Sequence, residues 1–418
     1  MSGLTSLTRM AFARYREDGM SSMLQAVLRY VLRRILIKYN ICKGPGVYRV
    51  QEIDLTPYQK PSSGKPRSYD VILVTDLRFP GGSTSSSVQE IEALHRAGYK
   101  AGLYHLPCSK MRHRTSPAPL IDNALRSGMA DILNGYDGPL RSAVLLFRHP
   151  AILNPDGAPL PEIDAGNVGL IVNHPPVKFG QIEYLLPDAI RKLRMAYGRE
   201  PTIYPIGPLI RAALEDAYDG TLVMAGQDWV NVFDIDRFAT QRQPPAPDRP
   251  LRIGRHSRPN PEKWPIDPHA IRAAYPEAPG IEVHILGGAD VPRAILGKLP
   301  SNWTVHDFGD LDPIDFLRGI DVFVYFHHPD WIEAFGRVIV EAMAAGLPVI
   351  LPPHFEPLLG DAGIYCKPEK VSDTLQRLRD PAYYTEKSRL CQQTAQRRFS
   401  TAVHLDRIAA LGCARYSR

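Results

Sequence analysis

Cysteine is scarce in this sequence. Cys42, Cys108, Cys366, Cys391 and Cys413 are the only five in 418 residues, and no two stand in a Cys-x-x-Cys pair. An odd, scattered set excludes a disulfide framework or a zinc knuckle and predicts a reducing, cytoplasmic setting. Long apolar runs are missing too. None reaches 18 residues, so no membrane-spanning helix is predicted. The first residues lack the short charged start and apolar core of a secretory signal. Charge of one sign is not extreme: the net charge is +6 and the isoelectric point about 9.0. That modest excess suits an anionic small partner such as a nucleotide or a lipid phosphate. No nucleic-acid-binding motif accompanies it, so nucleic acid is not expected as a partner. The rest is ordinary globular composition, 44% hydrophobic and 22% charged, at a length that predicts two or three domains.

Residues 1–67 are patterned unlike the remainder of the chain. Over 23–38, Leu24, Val27, Leu28, Val31 and Ile35 share one helical face, with Arg29 and Arg33 opposite and Arg34 and Lys38 at the flanks. Arg9, Arg14 and Arg16 add charge upstream. Such a helix suits peripheral attachment to an anionic membrane surface through residues 9–38, or packing on the body of the protein. A Pro-, Gly- and Ser-rich linker comes next, over 43–68.

Two α/β units are then predicted, over 68–238 and 251–385. In the first, Val71, Ile72, Leu73 and Val74 form a continuous apolar strand typical of a parallel sheet. A loop containing Gly81 and Gly82 comes after it, where the missing side chains permit close backbone approach to a ligand. Two more apolar strands end in His149-Pro150 and His174-Pro175, and the segments 202–205 and 221–225 are expected to finish the sheet. A Pro-rich stretch, 239–250, reads as a hinge. In the second unit, strands at 251–254, 282–286, 303–308, 322–326 and 348–351 alternate with helices, which predicts a doubly wound parallel sheet. Arg255, Arg258 and Lys263 stand after its first strand, cations suited to a leaving diphosphate. The last residues, 386–418, are expected to be helical.

The densest stretch is 331–352, WIEAFGRVIVEAMAAGLPVILP. Val338, Ile339, Ala342 and Met343 give one apolar side of a helix, and Gly346 and Pro348 end it. Gly336, within the turn Phe335-Gly336-Arg337, marks its start. The free N–H groups and positive dipole end at such a start favour a phosphate. Glu333 lies just outside that start and Glu341 inside the helix, roughly 12 Å apart if the whole span were helical. Carboxylates accept from the vicinal hydroxyls of sugar and ribose. The competing structural reading is an amphipathic helix with two solvated glutamates.

The pattern Glu333-Ala-Phe-Gly-x4-Glu341-Ala-Met-Ala-x-Gly-x-Pro-Val resembles the Glu-x7-Glu motif of the retaining GT-B glycosyltransferases, glycosyl transferases group 1. The resemblance implies two facing Rossmann-like domains, with helices in 386–418 crossing back onto the first. It implies retaining transfer of a sugar from a nucleotide diphosphate sugar to a hydroxyl acceptor, with no metal and no cofactor. With the basic N-terminal helix it suggests a glycan or lipid-linked acceptor in envelope, capsule or exopolysaccharide assembly. It places Glu333 and His174 at the donor sugar, as catalytic residues. It places Arg255, Arg258, Lys263, Phe335, Gly336, Arg337, Glu341 and Glu356 in donor binding. Asp310 and Leu311 would lie near the base, and Gly81 and Gly82 in the loop that faces the cleft. Here eight positions, with Pro259 and Pro261 between, separate Arg255 from Lys263, where relatives have about six. Arg258 is therefore an alternative to Lys263. The other readings are a nucleotide-sugar epimerase of the same fold and a non-catalytic nucleotide-binding scaffold.

Overall fold

A computed structural model describes residues 52–413 apart from 62, 112, 155–157 and 179–180. The basic helix expected over 23–38 lies outside the described residues. Among those described, no helix is long and apolar enough to cross a membrane. They form two compact units. One runs to Val230 and resumes at His404, and the other is Asn231–Val403.

The first unit contains β1 (Arg67–Thr75), β2 (Ala101–His105), β3 (Asp131–Ile132), β4 (Leu140–Arg148) and β5 (Ile163–Val172). A short antiparallel hairpin, β6 (Val177–Lys178) and β7 (Gln181–Ile182), comes next, and then β8 (Thr202–Pro205). The main sheet has the order β3-β2-β1-β4-β5-β8, with every neighbouring pair parallel. Ile72, Val74, Leu145 and Leu170 are fully buried, because parallel strands carry helices on both faces and need apolar side chains on each. The strand expected over 221–225 does not form. Ala225 N–H bonds Ile203 O at 2.8 Å, but no ladder extends from it.

The second unit repeats the plan with β9 (Leu251–His256), β10 (Ile281–Leu286), β11 (Trp303–His306), β12 (Val322–Val324), β13 (Val349–Leu351) and β14 (Gly363–Tyr365). Its order, β11-β10-β9-β12-β13-β14, is again all parallel. In both sheets the strand order reverses beside the first strand, between β1 and β4 and between β9 and β12. Loops leaving the carboxyl ends there form the crevice in which doubly wound sheets bind ligands.

The stretch read as a hinge is packed instead. Arg242 donates to three carbonyls of the second unit, Leu317 O at 2.6 Å, Ala345 O at 2.8 Å and Ile320 O at 2.9 Å. Phe233 N–H reaches Phe399 O at 2.8 Å. The boundary therefore falls near 230, ahead of the Pro-rich segment. The helix Pro381–Phe399 also stays with the second unit, where Ser388 Oγ donates to Gly346 O and Tyr384 to Asp321 O. The first unit takes back only the chain from His404. There Arg407 donates to Val230 O at 2.8 Å and lies over the Trp229 ring at 4.5 Å.

Candidate active site

The helix Arg337–Ala344 opens at Gly336, whose φ of 72° and ψ of 54° lie in the left-handed region. A Cβ there would stand 2.7 Å from Ile339 Cδ1, so this turn excludes side chains on two grounds. The helix ends at Ala345, and Gly346, at φ 74°, supplies the left-handed stop. Phe335, expected to line the donor site, points inward. It is 4% exposed and packs against Phe233 and Phe399 at 5.9 and 5.5 Å. Its ring anchors the turn, which leaves only its backbone to face a ligand.

Glu333 sits in the loop after β12. Lys263, from the loop after β9, donates to its Oε2, and the Tyr325 hydroxyl donates to the same oxygen at 2.9 Å. Strands β9 and β12 are the pair flanking the order reversal, so this ion pair spans the mouth of the second sheet. Burial works to raise the Glu333 pKa. The Lys263 charge and hydrogen bond, with His327 and the Tyr325 hydroxyl, outweigh it and hold the carboxyl below its usual range. His327 and His354 close one side, their Nε2 atoms 2.9 Å apart. Burial lowers the His327 pKa to about 4, so the ring is neutral near pH 7.

Glu341 is not a solvated helix residue. It is 7% exposed, accepts from Arg337 Nε at 2.8 Å, and lies 3.6 Å from His256 Nε2. Arg337 Nη1 and His256 Nε2 are buried there without a hydrogen-bond partner among the described residues. Buried polar atoms without a partner are costly, and this pair fits a polar ligand.

Arg255 departs from expectation. It is fully buried, with its guanidinium 3.8 Å from the centre of the Trp264 ring and 5.0 Å from that of Tyr325. It donates to Lys263 O at 2.5 Å, Phe326 O at 3.0 Å and the Tyr275 hydroxyl at 3.1 Å. It thus shapes the loop that carries Lys263 rather than presenting its own charge. Arg258 is exposed, as are Asp310, Leu311 and Glu356. Asp310 caps its own turn by accepting from Asp307 N–H at 2.8 Å.

In the first unit, Gly81 precedes and Gly82 begins the helix Gly82–Arg96, after β1. His174 lies just past β5, 3.6 Å from Glu183, which is itself paired with Lys110. Burial, with Lys110 and Lys178 nearby, lowers the His174 pKa to about 3. His149, at φ 87°, stacks between Phe79 and His174, with ring centres 4.4 and 4.6 Å away. Sequence reasoning missed Tyr325, His327 and His354 as neighbours of Glu333. Their only advance signal was position, after the carboxyl ends of β12 and β13.

Comparison with known proteins bears on the same region. The profile of the family described as Glycosyl transferases group 1 matches residues 253–380. No curated protein matches the chain. Among solved structures, Anabaena Alr3699/HepE, in complex with UDP and glucose, is similar at a TM-score of 0.52 and 16% identity, covering 82% of this chain and 98% of that one. The lipopolysaccharide outer core galactosyltransferase WaaB is similar at 0.51 and 11%, covering 82% and 99%. An alpha-glucosyltransferase in complex with UDP-glucose and abasic DNA is similar at 0.52 and 10%, covering 82% and 99%. Residues 253–380 thus match the Glycosyl transferases group 1 domain, and the chain shares the GT-B fold of these solved structures.

Proposed function

We propose that this protein transfers a sugar from a nucleotide diphosphate sugar to a hydroxyl acceptor with retention of anomeric configuration. The observation that carries the reading is the meeting of Lys263 and Glu333 at the mouth of the second sheet, three residues before Gly336, which opens the helix Arg337–Ala344. A cation and an amide-lined helix start suit a diphosphate, and flanking carboxylates suit sugar and ribose hydroxyls.

As the bond to the diphosphate loosens, the acceptor oxygen bonds the anomeric carbon, and the negative charge growing on the leaving phosphate oxygen takes up the acceptor's proton. Lys263 and the N–H groups at Gly336 would stabilise it, with Arg255 fixing the Lys263 loop and Arg258 reaching from solvent. Glu333 would orient donor sugar hydroxyls. Glu341, Arg337 and His256 would hold the ribose. His174, neutral near pH 7, would accept from a sugar hydroxyl, and Gly81 and Gly82 would let the backbone of the first unit approach substrate. Positive charge from these residues is the reason that no metal or cofactor is invoked. The base would lie by Asp310 and Leu311, and Glu356 would contact the donor. The acceptor is read as a glycan or lipid-linked saccharide of envelope, capsule or exopolysaccharide assembly, with residues 9–38 holding the enzyme at an anionic cytoplasmic membrane face. The charge pattern of that segment supports this.

A melting screen with UDP, GDP, ADP and CDP tests the core of the reading. One nucleotide should raise Tm, by about 2.7 kcal/mol of stabilisation at a hundredfold excess over Kd. No shift with any of the four would end it.

A further inference from the structure

We infer that Tyr325 is a positioning residue that aims Glu333 at the donor sugar. The inference rests on the functional reading above and deepens it. Both protein donors to Glu333 bind one oxygen, Oε2: Lys263 from one side and the Tyr325 hydroxyl, at 2.9 Å, from the other. Oε1 has no hydrogen-bond partner among the described residues, and it is not one of the buried polar atoms. The carboxylate is therefore pinned through one oxygen and presents the other to solvent.

The two pins are not equivalent. Lys263 is a long, flexible cation in a loop, and an arriving diphosphate competes for its charge. Tyr325 cannot leave. It stands immediately after β12, its N–H bonds Ile350 O at 3.1 Å, and its side chain is fully buried. Its ring is packed edge-on to Phe355 at 6.5 Å, with the Arg255 guanidinium 5.0 Å from its centre. When Lys263 turns to phosphate, the Tyr325 hydroxyl alone keeps Oε2 in place and Oε1 directed outward. A hydroxyl held in this way donates without carrying charge, so it orients the carboxylate without neutralising it. Tyr325 thus acts on recognition of the sugar half of the donor and not on the nucleotide half.

The test uses the full chain with paired ligands: UDP and UDP-glucose, GDP and GDP-mannose, ADP and ADP-glucose. Calorimetry on the wild type identifies the pair that binds. For that pair, Tyr325→Phe should weaken the nucleotide sugar about tenfold and the free nucleoside diphosphate less than about twofold. Glu333→Ala should do the same, and adding Tyr325→Phe to it should cost nothing more, because the hydroxyl works only through that carboxylate. Equal weakening of both ligands, or an additive loss in the double variant, would overturn the positioning role. The double variant also guards against a fold defect, which would lower Tm and affect both ligands alike. Failure of the wild type to bind any pair would sink the functional reading itself. Binding by the wild type with no change in Tyr325→Phe would sink only this inference.

Discussion

Glu333 and Glu341 stand eight positions apart, yet their surroundings assign them different chemistry. Glu333 is a loop residue with one oxygen pinned and one open. Glu341 is a helix residue gripped by Arg337 and facing a buried imidazole. Replacement of Glu333 by Gln should keep the fold, since an amide carbonyl still accepts from Lys263 and Tyr325, while sugar transfer falls by about two orders of magnitude. Assay of product formation beside nucleotide binding checks this, and retention of full transfer would refute the role. Gly336→Ala should destabilise the second unit by about 1–3 kcal/mol, because it adds left-handed strain to a clash with Ile339. Urea denaturation would register the loss as a lower midpoint at constant slope. The glutamate spacing and Gly336 were legible in the sequence, since all lie in one local pattern. Partners were not: Lys263 and Glu333 are 70 positions apart, and only the folded sheet brings them together. Arg255 misled for a related reason. A cation after a strand suggests phosphate, but Trp264, Tyr275 and Tyr325 enclose this one.

At the scale of elements, repeated strand–helix alternation made both sheets readable, and the helix Pro268–Ala274 follows β9 as that alternation requires. Segment ends with weak patterning were less so. The stretch 239–250 reads as a linker by its prolines, but Arg242 binds the three carbonyls that end neighbouring elements. Arg242→Ala should therefore cost about 1–3 kcal/mol, more than an ordinary surface change, because three acceptors lose a charged donor. A chemical melt of the variant checks it, and a change within about 0.5 kcal/mol would show a free linker after all. In the first unit, buried Glu90 accepts from Arg148 at 2.6 Å and from Trp229 at 3.0 Å, beside His404 and Arg407. A pair this buried is costly to halve, so Glu90→Gln should destabilise by several kcal/mol, about 3–5 by analogy with other broken buried pairs.

The whole molecule carries an acid sensitivity weighted to one unit. Burial holds His174 and His404 at about 3, far below an unfolded value near 6.5, and drives His149 down as well. As pH falls below about 6.5 the unfolded chain takes up protons on these rings and the folded chain does not. Stability therefore drops by about 1.4 kcal/mol per pH unit for His174 and again for His404, down to about pH 3, and His149 adds a loss of the same sign. Stability lost in this window is fully present above pH 6.5. Denaturant midpoints at pH 7.5 and 5 should show the fall, and a flat profile would contradict the buried state of these rings. Removal of residues 404–418 should likewise strip Trp229 and Glu90 of their cover. The first unit should then melt earlier while the second keeps its transition, which calorimetry separates.

The discontinuity of the first unit bears on how the chain matures. Its sheet emerges from the ribosome first, but His404 and Arg407, which pack beside Trp229, are made only after residue 403. An entire domain must be translated in between, so the nascent first sheet waits with an apolar flank uncovered. That interval is where chaperone engagement and off-pathway association would concentrate.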